Sequence, residues 1–188
     1  MDIILMVFST IINVATLLLA LRFMMQLAAV DPYNPVVMST IRATYVVDVF
    51  SRILPNVAQG RMSLAALMLI TLLQLIDLWG TNLLTGQPPF GALELLVVAV
   101  ISLLSSFLTF CKWLIIGSII LSWVVAFTQS QSPYIGVVMQ MTEPLLAPFR
   151  RIMPDLGPID LSPMVAFLAI IICQHLLGAA AVTLLAMV

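Results

Sequence analysis

The sequence predicts an all-α membrane protein with about four transmembrane helices, arranged in two parallel repeats. Each repeat is expected to carry an amphipathic interfacial helix between its spans. Three observations predict this fold. First, 63% of the 188 residues are hydrophobic and 8% are charged, with a mean hydropathy of +1.21, whereas a soluble domain carries roughly 25% charged residues. Too few charges remain to coat a water-facing surface, so lipid must be the solvent. Second, four apolar stretches suit the ~20 helical residues that a bilayer requires. Third, the polar connections between those stretches resemble one another.

The apolar stretches run from Ile3 to Ala29, from Ser63 to Trp79, within Ala92 to Phe127, and from Pro163 to Val188. The Met1-Asp2-Ile3-Ile4 start lacks a basic n-region and a small-residue cleavage site, so the first stretch is expected to be a retained span. The third stretch would reach roughly 54 Å at 1.5 Å per residue, too long for one upright span, and Lys112 sits in its middle. One reading is a single span from about Leu103 to Phe127 preceded by an interfacial or tilted segment near Glu94. The other is two short spans broken near Lys112. The absence of proline or a turn cluster in the run favours the first.

Arginines orient the bundle. Arg42, Arg52 and Arg61 lie between the first two spans, and Arg150 and Arg151 between the last two. The Gly80 to Gly91 linker, with its Gly86-Gln87-Pro88-Pro89 turn, contains no Lys or Arg, and neither terminus does. The positive-inside rule then places both long connections in the cytoplasm of a bacterial inner membrane and both termini in the periplasm.

Phe50-Ser51-Arg52-Ile53-Leu54-Pro55 matches Phe149-Arg150-Arg151-Ile152-Met153-Pro154 at an offset of 99, and Ser63 matches Ser162 at the same offset. Asp31-Pro32-Tyr33 also resembles Ser132-Pro133-Tyr134. The expected organisation is a degenerate first repeat (1–80), a periplasmic linker (81–91) and a second repeat (92–188). Two spans per repeat give both the same orientation. In the second repeat Ser132 and Pro133 can start a helix. Val137, Val138, Met141, Leu145, Phe149 and Ile152 would share one face, with Gln140, Glu143, Arg150 and Arg151 on the other. Pro144 and Pro148 each remove a donor, which predicts a kinked helix or two short ones. Such a segment suits the cytoplasmic membrane interface; the plainer reading is a connector covering the end of the bundle. Pro154-Asp155-Leu156-Gly157-Pro158 reverses the chain, and Ser162 and Pro163 open the last span. Asp160 suits the positive end of that helix and could pair with Arg150 or Arg151.

The segment Glu143-Pro144-x-x-x-Pro148-x-Arg150-Arg151-Ile152-x-Pro154-x-x-Gly157-x-Ile159-Asp160-x-Ser162-Pro163 resembles the signature of the YggT (YlmG-like) family of small bacterial membrane proteins with plastid relatives. The chain length, the doubled module and Asp31-Pro32-Tyr33-Asn34-Pro35 fit that family too. The first half departs from the pattern: Thr44, Tyr45 and Val49 stand where Glu143, Pro144 and Pro148 stand, and Arg52 has no second arginine beside it. Ala58 aligns with Gly157, and Arg61 with Asp160. The resemblance implies links to osmotic tolerance, to cell-division gene neighbourhoods and, in plastids, to cytochrome maturation and nucleoid distribution. That spread implies membrane organisation or assembly more than a defined reaction.

The residues themselves carry no Ser-His-Asp grouping, phosphate loop, HExxH or paired-carboxylate motif, so no enzyme activity and no cofactor are expected. The net charge of −1 offers no basic surface for nucleic acid. Arg150, Arg151 and Arg52 are the candidate contacts for anionic lipid head groups; the plainer reading is that they only set topology. Lys112 and His175 form a possible intramembrane polar site. His175 is the sole histidine in the chain, which excludes an internal bis-His site; hydrogen bonding between helices by Gln174 and His175 is the plainer reading. Arg22 is expected to snorkel to the cytoplasmic surface, and Cys111 and Cys173 to pack as free thiols. Two functions compete. One is a non-enzymatic organisation, assembly or osmotic-stress factor acting through the cytoplasmic segments on the lipid bilayer and on membrane or cytoplasmic proteins. The other is a small channel or transporter for ions or protons, which would favour a homo-oligomer because four spans are few to enclose a path.

Overall fold

Seven helices make up most of the residues that the computed structural model describes, which are 2–54, 56–57, 60–86, 91–129, 132–152 and 160–186. Pro154, Gly157 and residues 87–89 of the expected turn lie outside them. Helix α1 (Asp2–Leu27) contains neither Pro nor Gly and extends about 39 Å at 1.5 Å per residue. It ends where Ala29 adopts φ +50°, with the Val30 N–H donating to the Met25 carbonyl. The next five residues stop one helix and start another. Asp31 accepts the Tyr33 N–H at 3.0 Å, and Asn34 accepts the Val36 N–H at 2.9 Å ahead of Pro35 in the first turn.

Two short helices follow, α2 (Pro35–Ala43) and α3 (Val46–Ser51), separated at Thr44 and Tyr45. The chain then turns at Gly60 (φ +85°), closed by a two-bond bridge between Val57 and Met62. Ser63 caps α4 (Leu64–Thr85) by accepting the Ala66 N–H at 3.2 Å. The second span therefore continues past Trp79. Gly80 reads as a break in the sequence, yet it lies inside α4 because Phe8 of α1 packs on it. A Cβ there would lie 2.4 Å from the Phe8 ring. The helix stops at Gly86 (φ +69°), so residues 81–85 of the expected linker are helical.

Helix α5 (Ala92–Thr128) is continuous for 37 residues and about 55 Å long. The reading with two spans broken at Lys112 is thus overturned, and the segment around Glu94 is the first turn of the same helix. Helix α6 (Pro133–Arg150) is also undivided, contrary to the two short helices that Pro144 and Pro148 suggested. Gln140, Pro144 and Pro148, four residues apart, all lie on the exposed face. The carbonyls that lose a partner therefore point away from the packed interior, where they can find other donors. Helix α7 (Ser162–Leu185) completes the fold. Helices α1, α4, α5 and α7 are long and apolar enough to cross a membrane, and large exposed apolar side chains on them, such as Ile3, Trp113 and Leu176, suit lipid.

In space α1 packs on α4, α5 packs on α7, and α4 joins the pairs by contacting α5. Near the short helices, α6 touches α1, α2, α5 and α7. Its Val137 and Met141 pack with Met24 and Met25 of α1, Val37 of α2 and Leu114 of α5. One turn further, Leu146 meets Ile115 of α5 and Ala166 of α7. Asn34 adds a hydrogen bond to the Pro133 carbonyl, tying the start of α2 to the start of α6. Met141 is almost wholly enclosed, so Met141→Ala should lower resistance to denaturation in detergent by roughly 2–3 kcal/mol. Met164→Ala, on an exposed surface of α7, should change it little. Equal effects at both sites would contradict this seat for α6.

Candidate functional site

The connections α1–α2–α3–α4 and α5–α6–α7 leave from and return to the same end of the bundle, since α6 contacts both α1 and α2. Two arginines hold this end together. Arg22, on α1, does not snorkel to the surface. Its guanidinium donates to the Ile41 carbonyl (3.2 Å), the Thr44 carbonyl (3.4 Å) and the Thr44 hydroxyl (3.2 Å), and forms an ion pair with Asp48. Its side chain is 11% exposed. It thus satisfies the Ile41 carbonyl in the last turn of α2 and, through Thr44 and Asp48, draws α3 onto the bundle. Thr44 is buried and returns its hydroxyl to the Thr40 carbonyl, which marks the break between α2 and α3.

Arg150 performs the comparable task in the other half. It pairs with Glu143 two turns back along α6 and reaches Asp160 at 2.9 Å from Nε and 2.8 Å from the terminal nitrogen. Asp160 also accepts the Ser162 N–H at 2.9 Å, so one carboxylate links α6 to the start of α7. Ser162 is buried and Pro163 occupies the first turn. Burial pushes the Asp160 carboxyl up, but hydrogen bonds from Ser162 and Arg150 and the Arg150 charge outweigh it and hold it below the usual carboxylate range. Arg150 is raised, because its two carboxylate partners outweigh its desolvation.

Arg150 is therefore engaged by two carboxylates although it is itself exposed, while Arg151 and Arg52 are exposed and have no ion pair among the described residues. Each is followed by a bare isoleucine: Ile53 is 78% exposed and Ile152 is 83% exposed. The bundle end thus presents two basic–apolar pairs, at the ends of α3 and α6. The near-helical spacing placed Ile152 on the same apolar helix face as Val137 and Met141. Its position two residues beyond the end of α6 removes it from that face.

The intramembrane candidates separate. Lys112 donates to the Gln174 side-chain carbonyl at 3.1 Å, and the Gln174 amide donates to the Thr109 hydroxyl at 2.9 Å. Gln174 lies midway along α7, so Lys112 is solvated by an amide of the neighbouring helix instead of a carboxylate. His175 points outward and makes no hydrogen bond among the described residues; of the pair, Gln174 carries the bonding between helices. Cys111 is buried and Cys173 exposed, both as free thiols.

Sequence reading also missed a cleft of about 790 Å³ bounded by α1, α4 and α5. Its walls include Leu17, Phe23, Ile70, Phe107, Phe110 and Trp113, and Lys112 is not among its lining residues. Asn13, Gln74 and Ser106, polar residues near the middle of three apolar helices, are the sequence signal that marks it.

The model of the CCB3/YggT family matches residues 97–181. An uncharacterized protein of Pseudomonas aeruginosa is 37% identical over 166 residues, covering 87% of this chain and 82% of that protein. The uncharacterized protein YggT of Escherichia coli K12 is 33% identical over 162 residues, with 85% and 81% covered. A Vibrio alginolyticus protein, described as uncharacterized and encoded in the proC 3′ region, is 32% identical over 173 residues, with 90% of each covered. No solved structure matches the chain.

The Asp160 linkage has a defined pH signature. A carboxyl whose folded pKa is depressed contributes stability above its unfolded value, about 3.9, and loses it as pH falls through the folded value. Asp160→Asn should therefore destabilise the chain at neutral pH by up to about 1 kcal/mol, the scale of an exposed pair. The gap to the unaltered protein should close as pH falls below about 4. A gap of constant size down to acid pH, measured by thermal unfolding in detergent, would show that the carboxylate charge is not the linking element.

Proposed function

The chain belongs to the CCB3/YggT family, and from that premise we propose that it is a non-enzymatic multi-pass protein of the bacterial inner membrane. It organises the membrane or assembles partners there, in a setting that includes osmotic stress, through its short-helix end. In this reading α1 to α4 and α5 to α7 are two parallel repeats, and α6 with its counterpart α2–α3 lies at the cytoplasmic interface. Arg42, Arg52, Arg61, Arg150 and Arg151 all belong to the connections at that end, which by the positive-inside rule faces the cytoplasm and leaves both termini periplasmic.

The observation that carries the proposal is the pair of exposed Arg–Ile steps, Arg52–Ile53 and Arg151–Ile152. A basic residue beside a bare apolar one, at the end of a half-buried helix, suits the border between anionic head groups and acyl chains. Both steps lie at one end of the bundle, so they would seat it against the same leaflet. The competing channel reading calls for a polar path to Lys112. Against it stand the Gln174 amide that already solvates Lys112 and the apolar walls of the main cleft, which Lys112 does not line.

The test is lipid retention by the full chain. Purified from a mixed phosphatidylcholine–phosphatidylglycerol bilayer and examined by native mass spectrometry, the protein should retain phosphatidylglycerol preferentially. Arg52→Gln and Arg151→Gln together should reduce that preference by up to about fivefold per arginine, from about 1 kcal/mol each. An unchanged preference in the double variant, or an ion flux from proteoliposomes of the same protein, would count against the proposal.

A further inference from the structure

Helix α7 leaves one side uncovered along most of its length. Ala166 and Ile170 pack toward Ile115 of α5. On the opposite side Val165, Leu168, Ile172, His175, Ala179 and Val182 are all exposed. Their spacings alternate between three and four residues, which sets them in one straight stripe of the kind along which two helices pack at a shallow crossing. The apolar members of the stripe suit lipid. The imidazole of His175 does not.

His175 is 13 residues from the start of α7 and 10 from its end. At 1.5 Å per residue it lies roughly 20 Å and 15 Å from the two ends, near the middle of a bilayer core of ~30 Å. The hydrocarbon holds no water, and from that depth a short imidazole cannot reach the head groups as a long Lys or Arg side chain does. A polar group left unpaired there is costly. Yet His175 makes no hydrogen bond among the described residues. Its neighbour Gln174 faces α5 and is already engaged by Lys112 and Thr109.

We propose that the outer stripe of α7 is the interface of a parallel homodimer, in which the His175 side chains of the two copies hydrogen-bond to each other. Two copies inserted the same way up are related by an axis along the membrane normal, so a residue on the stripe meets its own counterpart at the same depth. A neutral imidazole carries one N–H and one bare nitrogen, so one ring can donate to the other. This self-complementarity selects the occupant. An acyl chain offers neither donor nor acceptor, and a phospholipid head group stays at the interface. An unrelated helix would need a polar group at this one depth and register, which a second copy supplies by symmetry. Beside His175 the approach is open: Ala179 is small, and a Cβ at Gly178 would meet nothing within 4 Å. Helix α7 contains no Asp, Glu, Lys or Arg that would face its like across the axis.

The test uses the full chain, labelled at its N-terminal amine with donor or acceptor dye and co-reconstituted in phosphatidylcholine–phosphatidylglycerol vesicles. Energy transfer should exceed that of random mixing and fall as protein is diluted in lipid. His175→Leu should weaken association by roughly threefold to thirtyfold, the scale of a hydrogen bond between membrane helices. His175→Asn, whose amide also donates and accepts, should retain it, which separates a lost hydrogen bond from a folding defect. Disulfide trapping locates the contact. In a chain with Cys111→Ala and Cys173→Ala, Ile172→Cys or Ala179→Cys should form a covalent dimer on mild oxidation. Cys173, exposed but off the stripe, should not do so in a chain with Cys111→Ala alone. Transfer no greater than random mixing would overturn the proposal, as would equal association in His175→Leu and the unaltered chain. Dimers trapped through Cys173 and not through the stripe would place another face at the contact and overturn it too. So would trapping of the stripe cysteines in native membranes to a different protein only.

Discussion

In lipid, apolar helices gain little by leaving one apolar surroundings for another, so a bundle of spans needs close packing and polar ties to stay together. Here much of that work falls to α6. The spans pair as α1 with α4 and α5 with α7, and α6 runs beneath both pairs with Val137, Met141 and Leu146 enclosed. The seat of α6 fixes which of its residues are buried and which face outward. Gln140, Pro144 and Pro148 face out, so prolines that would break a buried helix are tolerated here. The basic–apolar step faces out because it lies just beyond the last residue of α6.

Polar ties complete the arrangement, and they divide the arginines into two kinds. Arg22 and Arg150 are engaged within the chain: the enclosed Arg22 closes the end of α2 and holds Asp48, and the exposed Arg150 joins Glu143 to Asp160. Arg52 and Arg151 remain available to the surroundings. Neighbouring arginines in the sequence, Arg150 and Arg151, thus have different tasks, because a helix places consecutive residues on different sides. Lys112 shows the same economy at mid-span, where a single amide from α7 serves it and passes the bond on to Thr109.

The four spans were legible in the sequence because a run of apolar residues has one stable form in lipid. What escaped reading depends on residues distant in the chain. Gly80 looks like a break until Phe8 is placed on it. Pro144 and Pro148 look disruptive until tertiary packing decides which way their face points. Arg22 reads as a snorkelling cation, and only the fold of α2 and α3 brings Thr44 and Asp48 to it. The pairing of Asp160 was open between two arginines and is made with Arg150. The cleft escaped entirely as a volume, since it arises from the line along which α1 and α5 meet, although Asn13, Gln74 and Ser106 signalled its polar lining.

The central claim is that the Arg52–Ile53 and Arg151–Ile152 steps rest at the lipid–water border of one leaflet. Spin labels at Ile53→Cys and Ile152→Cys, in a chain with Cys111→Ala and Cys173→Ala, measure it directly in reconstituted bilayers. The account predicts that both labels collide more often with lipid-soluble oxygen than with a water-soluble nickel chelate, at matching shallow depths. Dominant relaxation by the nickel chelate at both positions would place these residues in bulk water and contradict it.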